Sequence, residues 1–351
     1  DVLKGLIMRY LLGSLLALVL ALGTPAIAEM HTKTQGDVIQ LRDDHPKEYV
    51  VVKGDTLWDI SARFLQSPWL WPEVWDMNNQ IYNPHLIYPG DIIYLYWCDG
   101  KPCLGLKRDT GMQPKVTPLE DAIPTISLRD IAAFLNDNRV VDEDLLERAP
   151  YILSGKNQRI IAGAGDRVYA RGELVSDLRQ QSIYRPAKEY RDPFDNELLG
   201  YELFKVADTL VAARDADVLS LDLTDSVEEV RLRDRVLPRS EEPIQSIFTP
   251  RAGPMLDDAV ILSVLGGVAN IGQFDAVTIN AGLREGLEAG YVYAVYSKGE
   301  DVRDPINGET VRLPSERAGE LMVFKSFEKV SYGLIMRATD VISVGDELRQ
   351  P

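Results

Sequence analysis

Histidine and cysteine are nearly missing from this sequence. Three His and two Cys occur in 351 residues, the last His at 85 and the last Cys at 103. A zinc amidase or endopeptidase draws its ligands mainly from these residue types. A Cys–His peptidase needs both together. Residues 104–351 contain neither type, which excludes these chemistries there. A serine–lysine arrangement is not excluded by counting, but no Ser-x-x-Lys spacing is expected. A carboxylate-based glycan hydrolase also survives, although acidic pairs such as Glu228-Glu229 and Glu241-Glu242 read as solvated surface. An excess of positive charge is also lacking. The formal net charge is −16, so bulk electrostatics do not hold nucleic acid or anionic lipid, and no nucleic-acid partner is expected.

Long apolar runs are absent but for Leu11 to Leu22. That run is short of the ~20 residues that span a bilayer. Arg9 precedes it, and Ala26 and Ala28 follow at the spacing a signal peptidase reads. Residues 1–28 are therefore expected to be a cleaved export signal with Met8 as its natural start, placing the protein in the periplasm or cell envelope. The two cysteines, Cys98 and Cys103, then read as a disulfide around the turn-rich Asp99-Gly100-Lys101-Pro102, in preference to a metal pair. No metal or other cofactor is expected.

The chain divides by composition. Residues 49–96 are dense in aromatics and hold four of the five Trp, with Trp97 directly after them. Residues 104–125 are rich in Gly and Pro and read as a linker. Short helices are expected from Ser127 and over Asp142 to Arg148, within a stretch 126–240 that turns to strands. Residues 255–351 are again strand-rich: Tyr291 to Tyr296 and Leu321 to Phe324 are β-branched or aromatic runs bounded by Gly, Asp or Pro. A repeat crosses these two stretches. Tyr190-Arg191-Asp192-Pro193-Phe194-Asp195-Asn196 resembles Val302-Arg303-Asp304-Pro305-Ile306-Asn307-Gly308 at an offset of 112, shared by Tyr184 with Tyr296 and Asp234 with Asp346. Thr224-Asp225 and Thr339-Asp340 match with a shift of three. A duplicated β-rich unit is expected, and the fold class is α+β.

In the aromatic segment, Tyr49 to Lys53 reads as a strand and Gly54 as a turn. Asp55 or Thr56 is placed to cap a helix whose face is Leu57, Ile60 and Phe64. A second helix is expected from about Trp71 to Asn79, with Pro72 in its first turn. Pro89-Gly90 turns into a last strand. The order Tyr49, Gly54-Asp55-Thr56-Leu57-Trp58, Trp75, Asn78-Asn79, Asn83-Pro84, Leu86-Ile87, Pro89-Gly90-Asp91 resembles a LysM domain. The resemblance implies a βααβ module over residues 49–96 that binds N-acetylglucosamine-containing glycan such as peptidoglycan. The sugar would lie in a groove formed by Gly54, Asp55, Thr56, Leu57, Pro84, Leu86 and Ile87, with aromatic contact from Trp58 and Tyr82. The insert Ser67 to Glu73 is longer than the shortest loops of that family.

Leu265-Gly266-Gly267-Val268, Asp275 to Asn280, Gly286 to Val295 and Gly345-Asp346 resemble the C-terminal domain of the flagellar ring protein FlgT. A LysM module followed by such a domain resembles the TsaP family of type IV pilus systems. This implies a non-catalytic wall anchor for an outer-membrane secretin, present as a ring-like multimer around that partner. The competing readings are a LysM-targeted carboxylate hydrolase and a general flagellar-ring-like envelope scaffold.

Overall fold

The computed structural model describes residues 39–76, 87–107, 138–239, 248–265, 271–299 and 301–351. All of them fall in one compact body. Strand accounts for 48% and helix for 11%, so the chain is mostly β with few helices. The expected export signal and the helix from Ser127 lie outside the described residues.

The N-terminal module is a three-stranded antiparallel sheet, β1 (Glu48–Val50), β2 (Ile92–Cys98) and β3 (Lys101–Lys107), in that order. Helix α1 (Leu57–Phe64) starts at the cap Thr56 and buries Leu57, Ile60 and Phe64 completely. Each such side chain is worth about 2 kcal/mol of burial. A single 3-10 turn, Pro68–Leu70, leads into α2 (Trp71–Asp76). Residues 77–79, where the second helix was expected to continue, are outside the described set. Asp99 and Gly100 both have positive φ, 48° and 78°, as a two-residue hairpin turn with the strands' own twist requires. Cys98 and Cys103 are bridged across this hairpin, with Cα atoms 6.0 Å apart. Strand β3 corrects the expected linker. Residues 104–107 pair with Ile92 to Leu95, and residues 108–125 of that span are not described.

After β4 (Arg139–Val141) and α3 (Glu143–Arg148), which Asp142 caps, come β5 (Tyr151–Gly155), β6 (Ile161–Ala162), β7 (Arg167–Arg171), β8 (Gln180–Arg191), β9 (Leu198–Asp215), β10 (Val218–Ser226), β11 (Val230–Arg231) and β12 (Arg235–Pro238). Strands β9, β10, β7, β5, β12 and β8 pair in a ring that closes back on β9, forming a barrel. The following strands are β13 (Arg251–Ala252), β14 (Ile261–Val264), β15 (Ala276–Ile279), β16 (Tyr291–Tyr296), β17 (Asp301–Arg303), β18 (Thr310–Arg312), β19 (Arg317–Ser326), β20 (Ser331–Ala338) and β21 (Glu347–Arg349). Here β19, β20, β15, β14, β21 and β16 form a second ring. Its β14–β21 seam is the Val260–Glu347 bridge, with Ile261 N–H donating to Asp346 O at 3.0 Å.

The two rings agree in order and in register. Tyr184 opposes Lys205 as Tyr296 opposes Arg317, and Ile183 opposes Ala207 as Val295 opposes Gly319. Ile152–Ala170 and Ser154–Tyr169 correspond to Ile261–Ile279 and Ser263–Thr278, with the same bulge between them. Register also places Asp225 opposite Asp208 as Arg337 opposes Glu320. Thus the Thr224-Asp225 and Thr339-Asp340 resemblance is not a register match, whereas the offset of 112 is. Both barrels are filled by side chains: Ile183, Leu221 and Val236 in the first, Val295, Leu321 and Ile335 in the second, each essentially unexposed.

One local device recurs six times among the described residues. In Val52/Asp55, Tyr88/Asp91, Gly163/Asp166, Arg231/Asp234, Gly272/Asp275 and Ser343/Asp346, the first residue's N–H donates to the Asp carboxylate at 2.7–3.1 Å. The Asp N–H returns to that residue's carbonyl. The residue before each Asp has positive φ, from 69° to 100°, the left-handed position of a type II turn. Gly fills it at 54, 90, 165 and 345, while Arg233 and Phe274 occupy it against the usual preference.

Candidate glycan-binding site

The candidate groove begins at the turn after β1. Tyr49 Oη donates to the Asp55 carboxylate at 2.9 Å, and Val52 N–H donates to the same oxygen at 2.8 Å. Burial, with the Asp55 carboxylate beside it, pushes the Tyr49 hydroxyl pKa up, so it stays protonated and keeps donating. The Arg63 guanidinium lies over the Tyr49 ring, 4.4 Å from its centroid. Thr56 Oγ1 accepts from Asp59 N–H at 3.0 Å and donates to Asp59 Oδ2 at 2.7 Å, which fixes the start of α1.

Two loops are joined side by side at this end of the sheet. Val51 N–H donates to Asp91 O, and Gly90 N–H donates to Val51 O, both at 2.8 Å. The strand–helix turn at 52–56 and the turn at 88–91 therefore form one continuous edge. Val52, Lys53, Gly54, Tyr88 and Gly90 are exposed along it.

The sequence-derived residues divide accordingly. Gly54 is exposed with φ 100°, and nothing lies within 4 Å of where its Cβ would be. Asp55 and Thr56 are buried, with side chains spent on the turn and the cap. Leu57, Trp58 and Ile87 are core, at 0%, 3% and 0% exposure. Tyr82, Pro84 and Leu86 lie outside the described residues. What this edge offers a sugar is backbone N–H and C=O on Lys53 and Gly54 together with the exposed Tyr88 face, while the buried groups and the Val52–Asp55 bonds hold it rigid. Such a shallow, mostly preformed edge suits an N-acetyl amide and a sugar face. The exposure of Tyr88 along this edge was missed from the sequence. Its signal is an aromatic directly before Pro-Gly-Asp.

A second concavity, of about 930 Å³, opens between the barrels, lined among others by Asp142, Glu143, Glu197, Ser326, Glu328 and Lys329. The Lys329 ammonium and the Arg284 guanidinium beside Glu197 hold its carboxyl below the usual range, so it stays ionised and does not suit general-acid work. Glu202 and Glu320 are pushed up by burial, but at 5% and 3% exposure they sit inside packed sheet. A Ser-x-x-Lys spacing does occur, Ser326-Phe327-Glu328-Lys329, which corrects the expectation that the sequence holds none. It falls at the β19–β20 turn, and Lys329 Nζ donates to Glu197 Oε1 at 2.6 Å and Leu198 O at 3.2 Å. Among the described residues, no cluster of His, Cys, Asp and Glu is arranged to hold a metal ion. No described helix is long and apolar enough to cross a membrane.

No curated protein matches the chain. LysM domains bind N-acetylglucosamine-containing glycans such as peptidoglycan, so the module indicates binding of peptidoglycan or chitin-type glycan. Residues 49–95 match the LysM domain family, and the chain therefore contains a LysM domain at its N-terminal edge.

Proposed function

We propose that this protein is exported and works without catalysis in the cell envelope, its LysM module held on peptidoglycan and its two barrels holding an outer-membrane assembly of the pilus-secretin kind. The observation that carries this reading is mechanical. Trp69, Leu70 and Trp71 of the insert belong to one buried cluster with Met322, Phe324, Tyr332 and Met336 of the second barrel, joined by Phe248. Arg337 Nη1 donates to Gln66 O at 3.1 Å across the same join. A targeting module on a loose tether serves a hydrolase that must search its substrate. A module sharing a core with the rest of the chain passes load from a bound partner to the wall. The duplicated barrels then supply the partner-facing surface.

The test has two readouts. Purified protein is incubated with intact sacculi, and the supernatant is assayed for soluble muropeptides. In parallel, tagged protein is purified from detergent-extracted envelopes, and the captured proteins are identified. The reading expects no muropeptide release and a co-purifying secretin. Muropeptide release would establish a carboxylate hydrolase. Capture of a flagellar ring instead of a secretin would favour the general scaffold.

A further inference from the structure

Each barrel carries a hairpin arm built to the same plan, and only one of the two arms is packed against anything among the described residues. The tips are turn-for-turn alike. Phe194 N–H donates to Asp192 Oδ1 and Glu197 N–H to Asp195 Oδ1, both at 2.8 Å. Ile306 N–H and Glu309 N–H do the same with Asp304 and Asn307, at 2.8 and 2.9 Å. The first arm, the tip of β8–β9, is docked on the second barrel. Tyr190 and Leu199 form a small core with Val330 and Leu262. Tyr190 Oη lies 3.2 Å from Thr278 Oγ1, and Asn280 Nδ2 donates to Asp192 Oδ2 at 2.8 Å.

The second arm, β17–β18, has Val302 where the first has Tyr190, and Val311 where the first has Leu199. These two valines oppose each other on one face. They are 36% and 46% exposed, and Ile306 at the tip is 94% exposed. Its opposite face is ionic, with Arg312 bonded to Asp301 at 2.9 Å. An amphipathic two-stranded arm with a bare apolar face is a surface awaiting a partner.

Register identifies the matching face. Where the docked arm meets Leu262, Ser263, Thr278 and Asn280 of β14–β15, the first barrel has Leu153, Ser154, Tyr169 and Arg171 of β5–β7. Leu153 is 46% exposed. The Arg171 guanidinium, which pairs with Asp217 at 2.7 Å, is 56% exposed. We propose that the second arm of one copy docks on the β5–β7 face of the first barrel of another copy, repeating between chains the joint already made within each chain. Asp304 then meets Arg171 as Asp192 meets Asn280, with opposite charges facing. Arm and face are different surfaces, so the contact is head-to-tail and propagates until it closes on itself. The receiving face carries the exposed ion pairs Arg167–Asp222 and Arg171–Asp217. The association is accordingly wet, reversible and weakened by salt.

Sedimentation velocity of the full protein over a range of concentrations tests this at low and high salt. Two variants are used, Ile306→Asp/Val311→Asp in the arm and Leu153→Asp/Arg171→Glu in the face, all at exposed positions. Wild type should form concentration-dependent oligomers that dissociate as salt rises. Each variant alone should be monomeric. An equimolar mixture should give a dimer and nothing larger, because one intact arm then meets one intact face. That recovery also shows that both variants are folded. A monomeric wild type throughout, variants that assemble like wild type, or a mixture that stays monomeric would each overturn the proposal.

Discussion

The two barrels share strand order, register and bulges, yet their outer faces are opposite in character. On the second barrel, Ala276, Thr278, Tyr332 and Leu334 of β15–β20 are buried under the rest of the chain. On the first, the matching positions are Arg167, Tyr169, Ser220 and Asp222, and the Arg167–Asp222 pair is open to water at 2.6 Å. The backbone plan therefore fixes the barrel, and the outward residues of β7, β10, β15 and β20 decide whether that barrel is covered or solvated. The arms reverse the pattern: buried Tyr190 and Leu199 on the first, bare Val302 and Val311 on the second.

The largest effect is expected where the comparison is sharpest. Tyr190→Ala should cost about 3–5 kcal/mol and split the denaturant transition as the barrels uncouple. Val302→Ala, at the matching position, should cost within ~0.5 kcal/mol. Equal losses would mean that the second arm is packed in solution. Next comes the hairpin bridge. Replacing Cys98 and Cys103 by Ser releases a short loop and should lower stability of the LysM module by about 2 kcal/mol, read as loss of protection of β3 amides in hydrogen exchange. A smaller effect separates the Asp turns. Arg233 sits at φ 72° where its counterpart is Gly345. Arg233→Gly should therefore stabilise the first barrel by about 1 kcal/mol, and Gly345→Ala should destabilise the second by a similar amount, both checked by thermal melting.

The smallest expected signal is a pH dependence of the joint. Burial raises the Glu202 carboxyl pKa, and Tyr190 Oη donates to it at 2.9 Å. A raised folded-state pKa favours the protonated form. Its contribution is therefore full below the ordinary carboxylate range and is lost as pH rises through the folded value. Glu202→Gln should match wild type in acid and melt above it at alkaline pH. A constant gap between the two would show that Glu202 does not titrate in the joint.

Much of this was readable from the residues. The 3.6 spacing of Leu57, Ile60 and Phe64, capped by Thr56, predicted α1, and the paired Asp-Pro turns predicted two like units. Strand β3 was hidden because Pro102 reads as turn and Gly105 as linker. Gly105 is bare because the Tyr94 ring lies over it: a Cβ there would meet Tyr94 Cζ at 2.3 Å. The Asp turns were legible only where Gly precedes Asp, so those with Arg233 and Phe274 passed unnoticed. Burial cannot be read from a motif either. Asp55, Thr56, Leu57, Trp58 and Ile87 carry the family resemblance, yet they shape the groove from behind while Val52 to Gly54 and Tyr88 face outward. The opposite faces of two like barrels depend on what packs against each strand, which no local pattern records.

The most direct test of the account is co-sedimentation of the full protein with intact peptidoglycan sacculi, with and without soluble N-acetylglucosamine oligomers. The account predicts that the protein pellets and that the oligomers return it to the supernatant. Protein that stays in the supernatant, or that pellets regardless of the competing sugar, would contradict glycan recognition by the LysM edge.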